Sequence, residues 1–333
     1  MRKILIDSQL EAKVDQFCEN LFVKGRNKNF QTPLCKLKKL HSDLKPFKNR
    51  KYRIYLSKII SEYNEILRAD PEKMRSLIKE FYKIDGGVLL NKKVPYKNIK
   101  FYDAIVSAMR YEDLRDKEFL DALKTTNIKS CIYCNSQLTT VIDFKFYNNK
   151  TKRKIKTLKG KLELDHFHPK SYYPFLCTSF FNLYPVCGNC NRAKSYNPVK
   201  FELYTRENDL DVFNFWIEDS SLIKYWASYK CEDLDVKFEH IKGDVEFLKN
   251  HNETFAIQGI YETQKDLAEE LVIKAKAYTD AYKENLIKNF AVLLPDAKLI
   301  NRLIIGNYDQ PQDIHKRPMS KYTQDIARQL KLI

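Results

Sequence analysis

A chain of 333 residues with 44% hydrophobic side chains has apolar matter for one large or two modest cores, which excludes intrinsic disorder; its 8 glycines and 11 prolines leave little for flexible linkers. The formal charge of +16 points to a polyanionic partner, with nucleic acid the simplest choice, and 21 tyrosines and 20 phenylalanines add packing bulk and rings on which bases could stack. No apolar run is long enough for a bilayer, and the opening Met1-Arg2-Lys3-Ile4-Leu5-Ile6-Asp7 turns polar too soon for a secretory leader, so a cytoplasmic protein with no membrane contact is expected.

In chain order, helices come first. Ser8 with Glu11 spells a capping box, and Leu10, Val14, Phe17, Leu21 and Phe22 follow at helical spacing before Gly25. Residues 36 to 58 carry nine lysines and arginines against a single Asp43. A second helix is expected from Tyr55 to Leu67, with Ile59, Ile60, Tyr63 and Ile66 on one side. A third starts at Asp70-Pro71, carries Met74, Leu77, Ile78, Phe81 and Tyr82, and breaks at Gly86-Gly87. Shorter helices over 101–110 and 116–125 complete a helical N-terminal region, 1–125.

The region 126–200 carries the chemistry. Two C-x-x-C pairs, Cys131/Cys134 and Cys187/Cys190, can supply four thiolates to one tetrahedral zinc, a closed structural site with no position open for water or substrate. Between Lys145 and Lys161 lie eight basic residues and no acidic one, in a strand-turn-strand pattern around Asn148 and Asn149 that suits a protruding hairpin in contact with DNA. Leu162 to Phe167 alternates apolar and polar as a short half-buried strand does, with Pro169 beyond it, so Asp165 and His166 leave on opposite faces. Asp165 is a hard oxygen donor suited to magnesium or manganese, and His166, free of metal, is a candidate base. Phe181 to Val186 reads as a turn and a second strand, and Cys187 to Lys194 as a helix, giving strand, loop, strand, helix. Lys170 and Lys194 are candidates to hold a substrate backbone, with Arg192 beside them, and His168 is open between phosphate contact and a plain loop role. Cys18, Cys35, Cys177 and Cys231 are expected unpaired.

Residues 201–333 read as mainly helical: Trp216 and Trp226 as core, a long amphipathic helix over 262–294 with Leu267, Leu271, Ala275, Tyr278, Tyr282, Leu286 and Phe290 in line, and a basic tail ending in a helix. No G-x-x-x-x-G-K-[ST] loop is present, so the chain itself should not hydrolyse ATP.

The order C-x-x-C, L-x-L-D-H-F-H-P-K-S and N-L-Y-P-V-C-x-x-C-N-R-A-K, about a fifth of the chain, resembles the HNH endonuclease family. The resemblance implies a ββα-metal finger with zinc knuckles, here embedded in a helical body, so an α+β, mostly helical fold. It implies His166 as the general base that activates water, Asp165 and Asn191 as ligands of a catalytic magnesium or manganese, and Asn182 as the brace of the loop carrying the base. Across its length the chain is also similar to stand-alone HNH effectors of the Septu and retron-linked anti-phage systems, with Asp165 where that group carries Glu; this implies a companion ATPase. Two rivals stand beside DNA cleavage: a non-catalytic zinc module that only grips nucleic acid, and a nuclease that cuts RNA, tRNA included.

Overall fold

The computed structural model describes residues 1–23, 29–149, 152–289 and 297–333. It is an α+β fold, mostly helical, in which the strands among the described residues occur as pairs. Helices α1 (Ser8–Asn20), α2 (Pro33–Ser42), α3 (Arg50–Ser61), α4 (Tyr63–Arg68) and α5 (Pro71–Asp85) follow strand β1 (Ile4–Leu5). Then come α6 (Phe101–Ala108), α7 (Tyr111–Asp113) and α8 (Phe119–Thr126), the last two joined by a π-helical turn over Leu114–Glu118. Local chemistry explains the boundaries. Asp7, rather than Ser8, caps α1 by accepting the Leu10 amide at 2.8 Å. Asp70 caps α5, Pro71 occupies its first turn, and Gly86 ends it at φ 66, where a side chain would be strained. The helix expected from Tyr55 starts earlier, at Arg50, and divides at Glu62, so much of the first basic run lies on α2 and α3. Gly25 falls outside the described residues.

A long antiparallel hairpin follows: β2 (Thr140–Asn148) and β3 (Arg153–Lys161), paired from Thr140 with Lys161 to Asn148 with Arg153. Next come β4 (Glu163–His166), antiparallel to β5 (Leu183–Val186) with His166 opposite Leu183, and then α9 (Gly188–Lys194). The strand, strand, helix order expected here is present. Strand β6 (Tyr204–Thr205) pairs in parallel with β1, tying the start of the chain to the segment after α9. Strands β7 (Phe213–Ile217) and β8 (Val236–His240) flank α10 (Asp219–Ser228).

The C-terminal helices are α11 (Val245–Phe255), α12 (Ile257–Glu262), α13 (Lys265–Ala277), α14 (Asp280–Asn289), α15 (Ala297–Ile305) and α16 (Ser320–Gln329). The single helix expected over 262–294 is therefore divided near Thr263 and again at Tyr278, whose ψ of 67° leaves the helical range. Leu271 is buried, with Leu267, Ala275 and Tyr278 packed against the core, whereas Tyr282 is exposed; Phe290 lies outside the described residues. Trp216 and Trp226 are half-buried rather than core. Buried hydrophobics form one cluster that includes Met1, Tyr133, Leu164, Phe213 and Leu332, so β4, β5 and α9 sit within the same core as the flanking helices. Among the described residues no helix is long and apolar enough to cross a membrane.

Candidate metal centre and adjoining cleft

The four expected cysteines converge. Cys131 and Cys134 lie just ahead of β2, Cys187 caps α9 and Cys190 sits inside it. Their sulfurs lie within 4.8 Å of one another, and all four residues are buried. Four thiolates at about 2.3 Å from a tetrahedral zinc would stand about 3.8 Å apart, so the donor set and its spacing suit a metal such as zinc. Outer donors are in place, since Ser136 Oγ donates to Cys134 Sγ at 3.2 Å. The C-terminal helices hold the first knuckle by its backbone: His251 Nε2 donates to the Tyr133 carbonyl at 2.9 Å, and Tyr261 Oη to the Cys134 carbonyl at 2.8 Å.

Beside this cage opens a cleft of ≈ 1020 Å³ lined by Glu163, Asp165, His166, Lys170, Asn191 and Arg192, with Lys159 and Lys161 of β3 on one side. Its floor is strand β4. Asp165 is buried, and its two carboxylate oxygens accept from two different segments: Oδ2 from Tyr133 Oη at 2.7 Å, Oδ1 from Lys194 Nζ at 3.0 Å. Tyr133 lies inside the first C-x-x-C pair and Lys194 follows the second by four residues, so each knuckle delivers one donor to the same carboxylate. Burial pushes the Asp165 carboxyl above the ordinary range, and Lys194 and Tyr133 pull it back.

His166 is buried. Its Nε2 lies 3.1 Å from the Cys177 carbonyl, which only accepts, so Nε2 carries the proton and Nδ1 is the free acceptor of the ring. Tyr111 packs against the imidazole at 4.6 Å between ring centres, and Lys170 Nζ sits 4.6 Å over that same Tyr111 ring. Burial above all, with Lys170 and Lys194 adding repulsion, lowers the His166 pKa to about 3, so the ring is neutral near pH 7. The residue before Tyr111, Arg110, holds a left-handed φ of 59 and stacks its guanidinium over Phe30, an arrangement that fixes where Tyr111 enters.

Asn182 is fully buried and joins the two sides of its loop: its Oδ1 accepts the His168 amide at 2.7 Å, and its Nδ2 donates to the carbonyls of His168 and Leu176. It does not line the cleft. Asn191, half-buried, donates to Glu163 Oε2 at 2.6 Å.

Two expected substrate contacts are not on the cleft surface. Lys194 is fully buried, held by Asp165 and by the His166 carbonyl at 2.8 Å, because an ammonium so enclosed must be paired; it cannot reach a backbone from there. His168 turns its ring onto Phe167 and Tyr173, its Nε2 buried without a partner, and does not line the cleft. Lys170 and Arg192 do line it. Glu163, Tyr133, Tyr111 and the Cys177 carbonyl were not anticipated. Alternation along β4 puts Glu163 on the face of Asp165 and could have singled it out; Tyr111 and the Cys177 backbone come from distant segments with no local signal.

No family model matches the chain, and no curated protein or solved structure matches it either.

Proposed function

We propose that this chain is a metal-dependent endonuclease of the HNH type that hydrolyses DNA phosphodiester bonds. One observation carries the reading: His166 Nε2 is committed to the Cys177 carbonyl at 3.1 Å, leaving Nδ1 as the acceptor of a ring that lines a cleft also holding Asp165 and Asn191. An imidazole fixed in one tautomer beside oxygen donors is placed to take a proton from water as a general base.

In the proposed reaction His166 Nδ1 accepts a proton from a water whose oxygen forms the new bond to phosphorus, and the bridging oxygen leaves with the electron pair of the broken P–O bond. Tyr111 and the Cys177 carbonyl hold the ring in place, Asn182 holds the loop, and Lys170 and Arg192 meet the phosphates. Asp165 and Asn191, with Glu163 beside them, are hard oxygen donors on one cleft, and each Asp165 oxygen keeps a lone pair beyond those used by Tyr133 and Lys194. They would hold a magnesium or manganese ion, which supplies positive charge against the phosphoryl and leaving oxygens. The four cysteines would hold zinc as scaffold.

Incubating the purified chain with labelled DNA and RNA side by side, in magnesium or manganese against chelator, tests this. Metal-dependent loss of intact DNA is expected; binding without loss would favour the non-catalytic module, and loss of RNA alone the RNA-cutting alternative. The likeness to Septu and retron-linked effectors extends the proposal to a cytoplasmic role in anti-phage defence with a partner ATPase, tested by whether the chain and an ATPase encoded beside it co-purify.

A further inference from the structure

The β2–β3 hairpin has two chemically different faces. On one, Gly160 receives Leu120 of α8 so closely that an added Cβ would lie 2.9 Å from it, Val141 packs against the core, and Asp143 is paired with Lys124 and Lys156. On the other, register places Ile142 opposite Lys159, Phe144 opposite Thr157 and Phe146 opposite Ile155. Ile142, Phe144 and Phe146 are all exposed and lie outside the hydrophobic core cluster. The two rings are neighbours, 5.6 Å apart and inclined by 30°, and Lys159 Nζ stands 3.8 Å over Phe144. No acidic residue lies on this face, since the hairpin's one acid, Asp143, is on the other. Lys159 and Lys161 also line the cleft that holds His166.

We infer that this face is a stacking platform for unpaired bases of a nucleic-acid strand, with Phe144 and Phe146 as the stacking rings and the hairpin lysines on the adjoining phosphates. Charge selects the class of partner: exposed rings interleaved with lysines and free of acids suit a polyanion that also offers flat apolar faces. A closed duplex hides its base faces in the stack and shows phosphates and groove edges, so aromatic rings find their match only in an unpaired segment. Because β3 runs from the rings into the cleft wall, a base held on Phe144 belongs to the strand whose phosphate lies in the cleft. The inference rests on the nuclease reading only for that last step.

Fluorescence anisotropy of a labelled oligonucleotide, single-stranded or duplex, with the full chain in chelator separates the two proposals. The single strand is expected to bind more tightly. Phe144→Ala with Phe146→Ala should weaken single-strand binding by about tenfold or more and leave duplex binding unchanged, whereas Arg153→Ala with Lys159→Ala, the basic residues on the same face as the rings, should weaken both. A Phe144→Trp variant gives a second readout, its added emission quenched by the single strand and not by the duplex. Unchanged single-strand affinity in the double Phe variant, or an unquenched Trp, overturns the platform, as does self-association by sedimentation that the Phe variant abolishes. A chain that binds through the rings yet cuts nothing with magnesium or manganese keeps the platform and loses the nuclease.

Discussion

Asp165 is held by groups that belong to the cysteine cage. Tyr133 arrives from the first knuckle and Lys194 from the second, so whatever holds the four sulfurs together also fixes the carboxylate on β4. Removing Tyr133 Oη by Tyr133→Phe strips one donor from a buried charged acceptor and is expected to cost about 2 kcal/mol in urea denaturation. Lys194→Met leaves the Asp165 carboxylate unpaired in the interior and should cost about 3–5 kcal/mol. Combined with Asp165→Asn, Lys194→Met should cost clearly less than the sum of the two changes, with a coupling of about 1 kcal/mol or more in the double-mutant cycle. Additive effects would show that the two groups do not depend on each other.

At the scale of elements, β4, β5 and α9 are joined to the first knuckle through the cysteine cage, with the hairpin β2–β3 just ahead of them in the chain. Cys187→Ser removes one thiolate, and the variant is expected to lose bound zinc by elemental analysis and to become sensitive to proteolysis within 126–200, whereas the wild-type chain is expected to carry one zinc. Zinc-free wild-type protein with an intact protease pattern would contradict a structural metal. Much of this unit was legible in the sequence because its signals are local: C-x-x-C spacing, alternation through Leu164 and Asp165, and Cys187 ahead of a helix. The hairpin was legible for the same reason, as strand residues around Asn148 and Asn149. What escaped was tertiary. The burial of Lys194 depends on where α9 lands against β4, and His168 turns inward because Asn182 holds its backbone. The heptad-like line over 262–294 concealed a break at Tyr278, since apolar spacing continues across a short interruption in a helix.

For the whole molecule, two buried histidines that do not line the cleft contribute a pH dependence. His251, against the Tyr133 carbonyl, is held down to about 3, and His315, against the Arg2 carbonyl, to about 4, burial being the main cause in both. Unfolded, each titrates near 6.5, so below that pH the unfolded chain binds protons that the folded chain refuses. Stability from these two groups is fully present above about pH 6.5 and falls until about pH 4 for His315 and about pH 3 for His251, with about 4 kcal/mol lost by pH 5. Thermal unfolding at pH 7 and pH 5 reads this, and replacing His251 by Gln should flatten the dependence; an equal Tm at both values would contradict it. The charge of +16 adds a second expectation, that nucleic-acid affinity falls steeply as salt rises.

The most direct test of the central claim, that His166 is a fixed-tautomer base in this cleft, is single-turnover cleavage by His166→Ala against wild type in magnesium or manganese. Loss of general-base activation is expected to slow cleavage by about 10²–10⁴-fold, with zinc content and circular dichroism unchanged. Cleavage at the wild-type rate by a folded, zinc-loaded variant would contradict the account.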